Sequence, residues 1–389
     1  MAFEALDPFA AANEIMECIG KKVEELKTIN LMILGKTGVG KSTLINTLFG
    51  TERVKTGLGR PITSQIERIP GDNLTIYDTP GLELSGENSM ANLLDQVVGV
   101  INKNVEEGTI DDAVHCILYC VSTPSRRFEE NEAEFIKSLQ ARIVTHNIPI
   151  FIVLTQSFNK TDSAKLKEYI ASLNLKIKAI VPVLAEPYYV DEDYTAKPRG
   201  VAELAQLIAD AIPESLKDTF AAIQCANMEL KRKNAQKIVI AAAAGAAAIG
   251  AVPIPFSDAA LLVPEQIGML AGITVAFGIP VDKASLAAIL SATIGTGGAT
   301  LLGKTIVTNL IKLIPGAGSI VGGAISAATA AALTSALGEA YIVIMTMVAK
   351  GEVSPDFIKT KEGIETIAKV FAEKISLARN SDGSLKTDN

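Results

Sequence analysis

The residues best suited to chemistry stand together at Gly35-Lys36-Thr37-Gly38-Val39-Gly40-Lys41-Ser42, followed by Thr43. Glycines at 35, 38 and 40 let backbone N–H groups converge on phosphate oxygens, Lys41 neutralises them, and Ser42 offers a hydroxyl to Mg²⁺. A bare glycine turn would need neither the lysine nor the serine. By average residue usage, a chance match to GxxxxGK[ST] in a chain of this length is roughly a one-in-a-hundred event. A second element, Asp78-Thr79-Pro80-Gly81, follows Lys41 by thirty-seven residues. Its aspartate would hold Mg²⁺ through water, and the Gly81 N–H would meet a terminal phosphate. Read alone, DTPG is also a plausible strand-ending turn.

These groups need rigid elements to position them. Ile29 to Leu34 is a short apolar run ending in glycine, and Ser42 to Leu48 has helical character, which predicts strand, loop, helix. Apolar runs at Leu74 to Tyr77, Val114 to Val121, Ile148 to Leu154 and Ile180 to Leu184 alternate with helical stretches at Glu129 to Leu139 and Lys165 to Ser172. That alternation predicts an α/β domain with a mostly parallel sheet. Gln65 to Ile69 and Leu74 to Asp78 flank Pro70-Gly71-Asp72-Asn73 and predict one antiparallel edge strand. A helix from Gly200 to Ala211, stopped by Pro213, closes the domain at residues 30–213.

Loop and DTPG at this spacing together resemble the translation-factor-related P-loop GTPases of the Era type. The resemblance implies GTP and GDP as ligands, Mg²⁺ as cofactor and hydrolysis of the β–γ phosphoanhydride. It also implies a switch threonine that ligates Mg²⁺ in the triphosphate state. Thr56 and Thr63 compete for that place; Thr63 stands immediately before the hairpin strand, as the switch threonine does in that family. The implied metal set is therefore Ser42, Thr63 and Asp78, and the catalytic set Lys41, Thr63, Gly81 and Arg60. Arg60 matches the offset of the internal arginine finger of heterotrimeric G-protein α subunits; a solvated loop arginine is its plainer reading. Leu82 stands where many small GTPases place a water-orienting glutamine, so slow intrinsic hydrolysis is expected. Gly38 replaces the asparagine of potassium-activated relatives, which leaves activation by pairing of two nucleotide domains as the leading expectation.

The base-reading element departs from the family. Guanine-specific relatives end a strand with N/TKxD, whereas Ile148 to Leu154 runs into Thr155-Gln156-Ser157-Phe158. Thr155 fits, Gln156 replaces the lysine, and Phe158 stands where the carboxylate should be. Asp162 comes four residues later and would serve only if the loop folded back. Val183-Leu184-Ala185 resembles the turn whose alanine N–H meets the guanine oxygen. Thr155, Gln156 and Ala185 thus complete the expected nucleotide contacts, with guanine favoured over adenine.

Composition narrows the partners. A formal charge of −7 with a pI near 5.2 disfavours a nucleic acid gripped by bulk electrostatics. Cys18, Cys116, Cys120 and Cys225 form no CxxC pair, so no disulfide framework or zinc site is expected and a reducing cytoplasm fits. Acidic residues near the start argue against a secretory signal. Of the two histidines, His115 is expected to be a structural residue in a buried strand beside Cys116, and neither it nor His146 suggests a triad.

Mean hydropathy is +0.30, and its source is one region: residues 238–349 carry only seven charged side chains. The charge-free stretches 238–257, 284–303 and 313–338 reach the roughly twenty residues that span a bilayer. They are rich in Ala and Gly, including the GxxxG at Gly318 to Gly322, which suits close helix packing as well as insertion. Lys231, Arg232, Lys233 and Lys237 precede the first stretch and would suit an anionic membrane surface. A polar helix over Glu214 to Lys237 and helices over Ala259 to Phe277, Lys283 to Ile314, Ser319 to Val348 and Pro355 to Ala378 are expected. Gly250 to Ile279 resembles the helical domain of immunity-related GTPases and, more closely, bacterial GTPases with a hydrophobic C-terminal domain. In that family an N-terminal helix packs with this domain, which implies the same for residues 1–29, where Ile15, Ile19, Val23 and Leu26 recur at helical spacing. Residues 214–379 would form the helical domain and 380–389 a disordered tail.

The combined expectation is a Mg²⁺-dependent GTP-binding and GTP-hydrolysing switch that controls self-assembly, as a homodimer or oligomer through the nucleotide domain, or docking at an anionic membrane. Two readings compete with it: a soluble Era-type ribosome or RNA assembly factor, and an integral membrane protein with a regulatory nucleotide site.

Overall fold

The computed structural model describes residues 8–50, 66–79, 87–106, 113–143, 147–190, 194–250, 258–294 and 327–377. The chain divides into two compact units, one formed by residues 26–228 and the other by residues 1–25 together with 229–389.

After helix α1 (Pro8–Glu24), which belongs to the second unit, the α/β unit opens with β1 (Ile29–Gly35) and α2 (Lys41–Phe49). A hairpin of β2 (Glu67–Gly71) and β3 (Leu74–Asp78) follows, then α3 (Glu87–Glu106), β4 (Cys116–Ser122), α4 (Glu130–Arg142) and β5 (Ile150–Thr155). The unit continues through α5 (Lys160–Ser172), β6 (Ala179–Pro182), a small hairpin of β7 (Tyr188–Tyr189) and β8 (Thr195–Ala196), α6 (Val201–Ala211) and α7 (Glu214–Ile223). The six-stranded sheet runs β2-β3-β1-β4-β5-β6, with only β2 antiparallel. This is the α/β architecture expected from the sequence.

The burial of each strand explains its composition. Every residue of β1 and β5 is buried, because helices cover both faces of a parallel sheet and leave no side for water. The edge strand β2 is largely exposed and carries Pro70, whose missing N–H costs nothing at an edge. Asn73 takes the left-handed turn (φ 55°) and donates its side-chain amide to the Leu26 carbonyl, 2.8 Å away. Register then aligns the carboxyl ends: Ile33 pairs with Asp78, Gly35 with Cys120, and Ser122 with Thr155. Ligands of open α/β sheets bind at that edge.

Two boundaries differ from expectation. The unit runs past Pro213, because Phe220 of α7 meets Phe49 edge-on at 6.1 Å and the Cys225 N–H donates to the Leu48 carbonyl at 2.7 Å. The predicted polar helix over Glu214 to Lys237 is two helices, α7 and α8 (Met228–Gly250). The fully buried Gln224 breaks it: its amide donates to the Asn227 carbonyl (2.9 Å) and accepts from the Asn227 N–H (2.7 Å), competing with helical bonds.

In the helical unit, α8 is joined by α9 (Asp258–Phe277), α10 (Lys283–Ile294), α11 (Ala327–Ala349) and α12 (Lys361–Leu377). Helix α1 packs on α9 and α10, and α11 packs between α9 and α12. Within α1, Ala11, Ala12 and Ile15 are buried while Val23 is exposed, so the apolar seam lies nearer the helix start than the predicted spacing suggested. Close approach is built on small residues: a Cβ at Gly338 of α11 would sit 2.5 Å from Val239 of α8 and 2.9 Å from the Met269 sulfur of α9. Thr274 and Tyr341 share a buried hydrogen bond of 2.7 Å between α9 and α11.

The predicted helix from Pro355 is interrupted. Pro355–Lys359 is a 3-10 turn capped by Ser354, whose hydroxyl accepts from the Phe357 N–H, and α12 restarts after Thr360, whose hydroxyl accepts from the Gly363 N–H. The basic cluster also divides. Lys231 is 3% exposed and donates to the terminal carbonyl of α9 at Phe277 (2.7 Å), whereas Lys233 and Lys237 face solvent. One segment among the described residues, Ala330–Ala349 in α11, is long and apolar enough to cross a membrane, and 59% of it is buried inside the protein. The GxxxG at 318–322 lies outside the described residues.

Candidate functional site

The phosphate loop leaves β1 at Gly35, where φ is 140° and a Cβ would stand 2.5 Å from the Cys120 carbonyl of β4. Only glycine fits there, so the chain can turn at once over the carboxyl edge of the sheet. Gly38 and Gly40 also hold positive φ (75° and 92°), and Gly40 leads directly into α2. That helix start presents unpaired N–H groups and the positive end of its dipole to the loop's concavity. Thr37 and Gly38 are exposed while Val39 is buried as the loop's anchor.

Lys41, in the first turn of α2, folds its ammonium back over the loop and donates to the carbonyls of Gly35 (2.9 Å) and Lys36 (3.2 Å). Burial lowers its pKa, partly countered by the neighbouring Asp78. Burial likewise raises the Asp78 carboxyl, again partly countered by Lys41. Asp78 Oδ1 is buried without a hydrogen-bond partner. An orphaned carboxylate oxygen next to Lys41, and a serine hydroxyl that follows Lys41 in the first turn of α2, are oxygen donors of the kind a hard cation takes, so Asp78 and Ser42 fit Mg²⁺. Thr79 acts differently: its hydroxyl donates to the Ile33 carbonyl (3.0 Å) and fastens the end of β3 to β1.

The end of β5 holds the loop from the other side. The Thr155 hydroxyl is in reach of the Val39 carbonyl and of the Val121 carbonyl (3.1 Å). The Gln156 amide donates to the Gly38 carbonyl (3.2 Å) and accepts from the Ser122 hydroxyl (2.9 Å). Gln156 thus binds the loop as a neutral strut. Ala185 is half-buried just after Leu184, which exchanges two 2.9 Å backbone bonds with Arg199.

Several residues that organise the site were not legible in the sequence. Lys36 pairs with Glu129 (3.2 Å) and the buried Glu132 (3.1 Å), while the Tyr119 hydroxyl donates to Glu132 (3.1 Å). Burial opposes the Lys36 charge, but Glu132 and Glu129 outweigh it and raise the pKa. The signal was present as Glu129-x-x-Glu132, a capping box at the start of α4. Arg199 clamps the Ser157 carbonyl, which no motif announced.

Asp162 does not fold back as a base reader. Asn159 caps α5, placing Asp162 in its first turn, where Arg126 grips it at 2.8 and 3.1 Å. His115 is structural as expected: it is buried, and its Nδ1 accepts from the Asn30 N–H at 3.0 Å. Thr56, Arg60, Thr63, Gly81, Leu82 and His146 lie outside the described residues.

Residues 30–156 match the family described as 50S ribosome-binding GTPase. Among curated proteins, the chain is 28% identical to Septin-4 of Rattus norvegicus over 238 residues, covering 51% of this chain and 50% of that protein. It is 25% identical to cell division control protein 10 of Candida albicans over 189 residues, covering 42% and 52%. The chain therefore spans about half the length of these curated relatives. Among solved structures, Aquifex aeolicus Era bound to GDP and AlF4⁻ is similar at 21% identity and a TM-score of 0.32, over 55% of this chain and 68% of that one. Toc33 of Arabidopsis thaliana with GDP and Mg²⁺ is similar at 20% identity and a TM-score of 0.33, over 54% and 92%. With the loop, the sheet order and the family match in agreement, the α/β unit is a P-loop GTPase domain.

Proposed function

We propose that the protein is a Mg²⁺-dependent switch that binds GTP and hydrolyses it to GDP and inorganic phosphate. The observation that carries this reading is the neighbouring pair Lys41 and Asp78, both half-buried at the sheet's carboxyl edge, with one Asp78 oxygen buried and unpartnered. Two desolvated groups of opposite sign against a glycine loop are costly to keep unless a charged ligand completes them.

In this proposal Lys41 exchanges its loop carbonyls for phosphate oxygens, and the loop N–H groups with the α2 start hold the remaining charge. Ser42 and Asp78, joined by Thr63, would hold Mg²⁺. When bound, the cation neutralises and orients the β- and γ-phosphate oxygens. Water attacks the γ-phosphorus and the bond to the β–γ bridging oxygen breaks; the Gly81 N–H and Arg60 are assigned to the charge that develops. Leu82 supports a slow intrinsic rate.

The finer reading is that nucleotide state governs self-assembly through the GTPase domain or docking of the helical unit at a membrane, in the cytoplasm. The affinity to Era-type GTPases and the immunity-related character of Gly250 to Ile279 belong to the same proposal. The apolar segment Ala330–Ala349 and the exposed Lys233 and Lys237 support the membrane arm.

Titration with a fluorescent GDP, with Mg²⁺ and with EDTA, followed by phosphate-release kinetics, tests the core claim. Retained micromolar binding in Lys41→Ala would refute the site. Sedimentation with anionic liposomes, with GDP or a non-hydrolysable GTP analogue, tests the finer one; an unchanged bound fraction and an unchanged oligomeric state would sink it.

A further inference from the structure

We propose that the purine base is held by its flat face on a stacked aromatic pair, Phe158 and Tyr188, and that this site does not read the 2-amino group that distinguishes guanine from hypoxanthine. The inference rests on the nucleotide site proposed above and deepens it.

The position follows from the chain. Thr155 and Gln156 are bonded to the loop carbonyls of Val39 and Gly38, so the next residues begin one short step from the phosphates. Gln156 adopts a left-handed conformation (φ 53°), and the Phe158 N–H donates back to the Gln156 carbonyl at 2.8 Å. Two residues of chain reach at most about 7 Å, and the return bond keeps Phe158 within that distance of Gln156 and so near the phosphate loop. The Ser157 N–H donates to the Val183 carbonyl (3.0 Å), which brings the turn carrying Ala185 alongside. At this junction the Phe158 ring stacks on Tyr188 with centroids 4.3 Å apart and planes 7° from parallel. Tyr188 remains 44% exposed and so offers surface to a third ring.

The chemistry of the neighbours removes the alternative. A carboxylate that takes the two N–H groups of guanine would have to stand at residue 158, which is phenylalanine. Asp162 is engaged by Arg126, and the amide of Gln156 is satisfied by Ser122 and Gly38. Phe158 can read a base only through its π face, and every purine has one. The remaining directional contact is a backbone N–H such as that of Ala185, which selects the 6-oxo oxygen over a 6-amino group but ignores the 2-amino group. The ligand class is therefore 6-oxopurine triphosphates, with guanine and hypoxanthine nearly equivalent.

The test is displacement of fluorescent GDP from the full-length protein, in Mg²⁺, by GTP, ITP, ATP and UTP. GTP and ITP should agree within about threefold, and UTP, with a smaller ring to stack, should be roughly tenfold weaker or worse. Tyr188→Ala and Phe158→Leu should each weaken GTP and ITP alike, by roughly tenfold. Phe158→Asp should restore a preference for GTP over ITP. A native preference for GTP over ITP of more than about tenfold, the rejection expected of a site that hydrogen-bonds the missing group, would overturn the proposal. So would unchanged affinity in Tyr188→Ala, which sits on an exposed hairpin and keeps the test valid if Phe158 variants misfold. If no triphosphate binds the native protein, the nucleotide site itself has failed; tight binding with strong discrimination of the 2-amino group overturns this inference and leaves the nucleotide site standing.

Discussion

Thr155 at the end of β5 and Val39 in the phosphate loop are 116 residues apart in sequence, yet the threonine hydroxyl bonds the valine carbonyl. The same hydroxyl lies 3.1 Å from the Val121 carbonyl of β4. One buried side chain thereby ties the loop to two adjacent strands, fixing its curvature before any ligand arrives. Preorganisation of this kind lowers the ordering cost of binding.

Thr155→Val tests that tie. Valine matches the shape but removes the single hydroxyl proton that the Val39 and Val121 carbonyls compete for, so stability should fall by about 1–3 kcal/mol. Nucleotide affinity should fall as well, because the loop must be ordered at the moment of binding. Urea denaturation and GDP titration on the same samples check both effects. Loss of stability with unchanged affinity would show that the loop holds its shape without Thr155.

Gly35→Ala should be harsher than the substitution suggests. The new Cβ would meet the backbone carbonyl of Cys120 at 2.5 Å, and β4 is a central strand that cannot move aside. Strain at a positive φ adds to the clash. Thermal unfolding should show the α/β unit destabilised by roughly 2 kcal/mol or more, with nucleotide binding lost in step.

Much of this was readable in the sequence, and the reason is local. Gly35 to Ser42 and Asp78-Thr79 fold by short-range turn and strand rules, so spacing alone placed them on β1, α2 and β3. The Lys36, Glu132 and Tyr119 cluster was not readable, because its members come from three elements whose proximity is created by the sheet order. Gln156 misled for another reason: as a failed base-side lysine it looked like a loss, whereas geometry makes it a strut on Gly38. The break at Gln224 was hidden because glutamine has good helix propensity, and only its burial turns its amide against the backbone.

Asp78 predicts a coupling between metal and protons. Burial raises its carboxyl pKa above the ordinary 3.8, so without bound metal it takes up a proton at a higher pH than a free aspartate would. Mg²⁺ requires the ionised form, so binding of Mg²⁺ and nucleotide should release protons, and affinity should fall as pH drops through the raised value. Calorimetric titration in two buffers of different ionisation enthalpy measures the release. Asp78→Asn should remove both the Mg²⁺ dependence of nucleotide affinity and its pH slope; a persisting slope would assign the proton elsewhere.

The helical unit has a pH response that rests on a pKa shift of the opposite sign, centred on Asp282 at the start of α10. Its carboxylate pairs with Lys359 and accepts the Ser285 N–H at 2.8 Å, and these bonds hold its pKa down at about 2. A carboxyl whose pKa is lower folded than unfolded contributes stability above its unfolded value. That contribution is full above about pH 4 and is lost as pH falls toward 2. Asp282→Asn keeps an oxygen to cap α10 but removes the charge, whereas Asp282→Ala removes both. At neutral pH the alanine variant should therefore be the less stable of the two, by about 1 kcal/mol for the lost cap. The gap between native protein and Asp282→Asn should close between pH 4 and pH 2, while the gap between the two variants stays constant. A native–asparagine difference that did not shrink on acidification would show that Lys359 contributes nothing through charge.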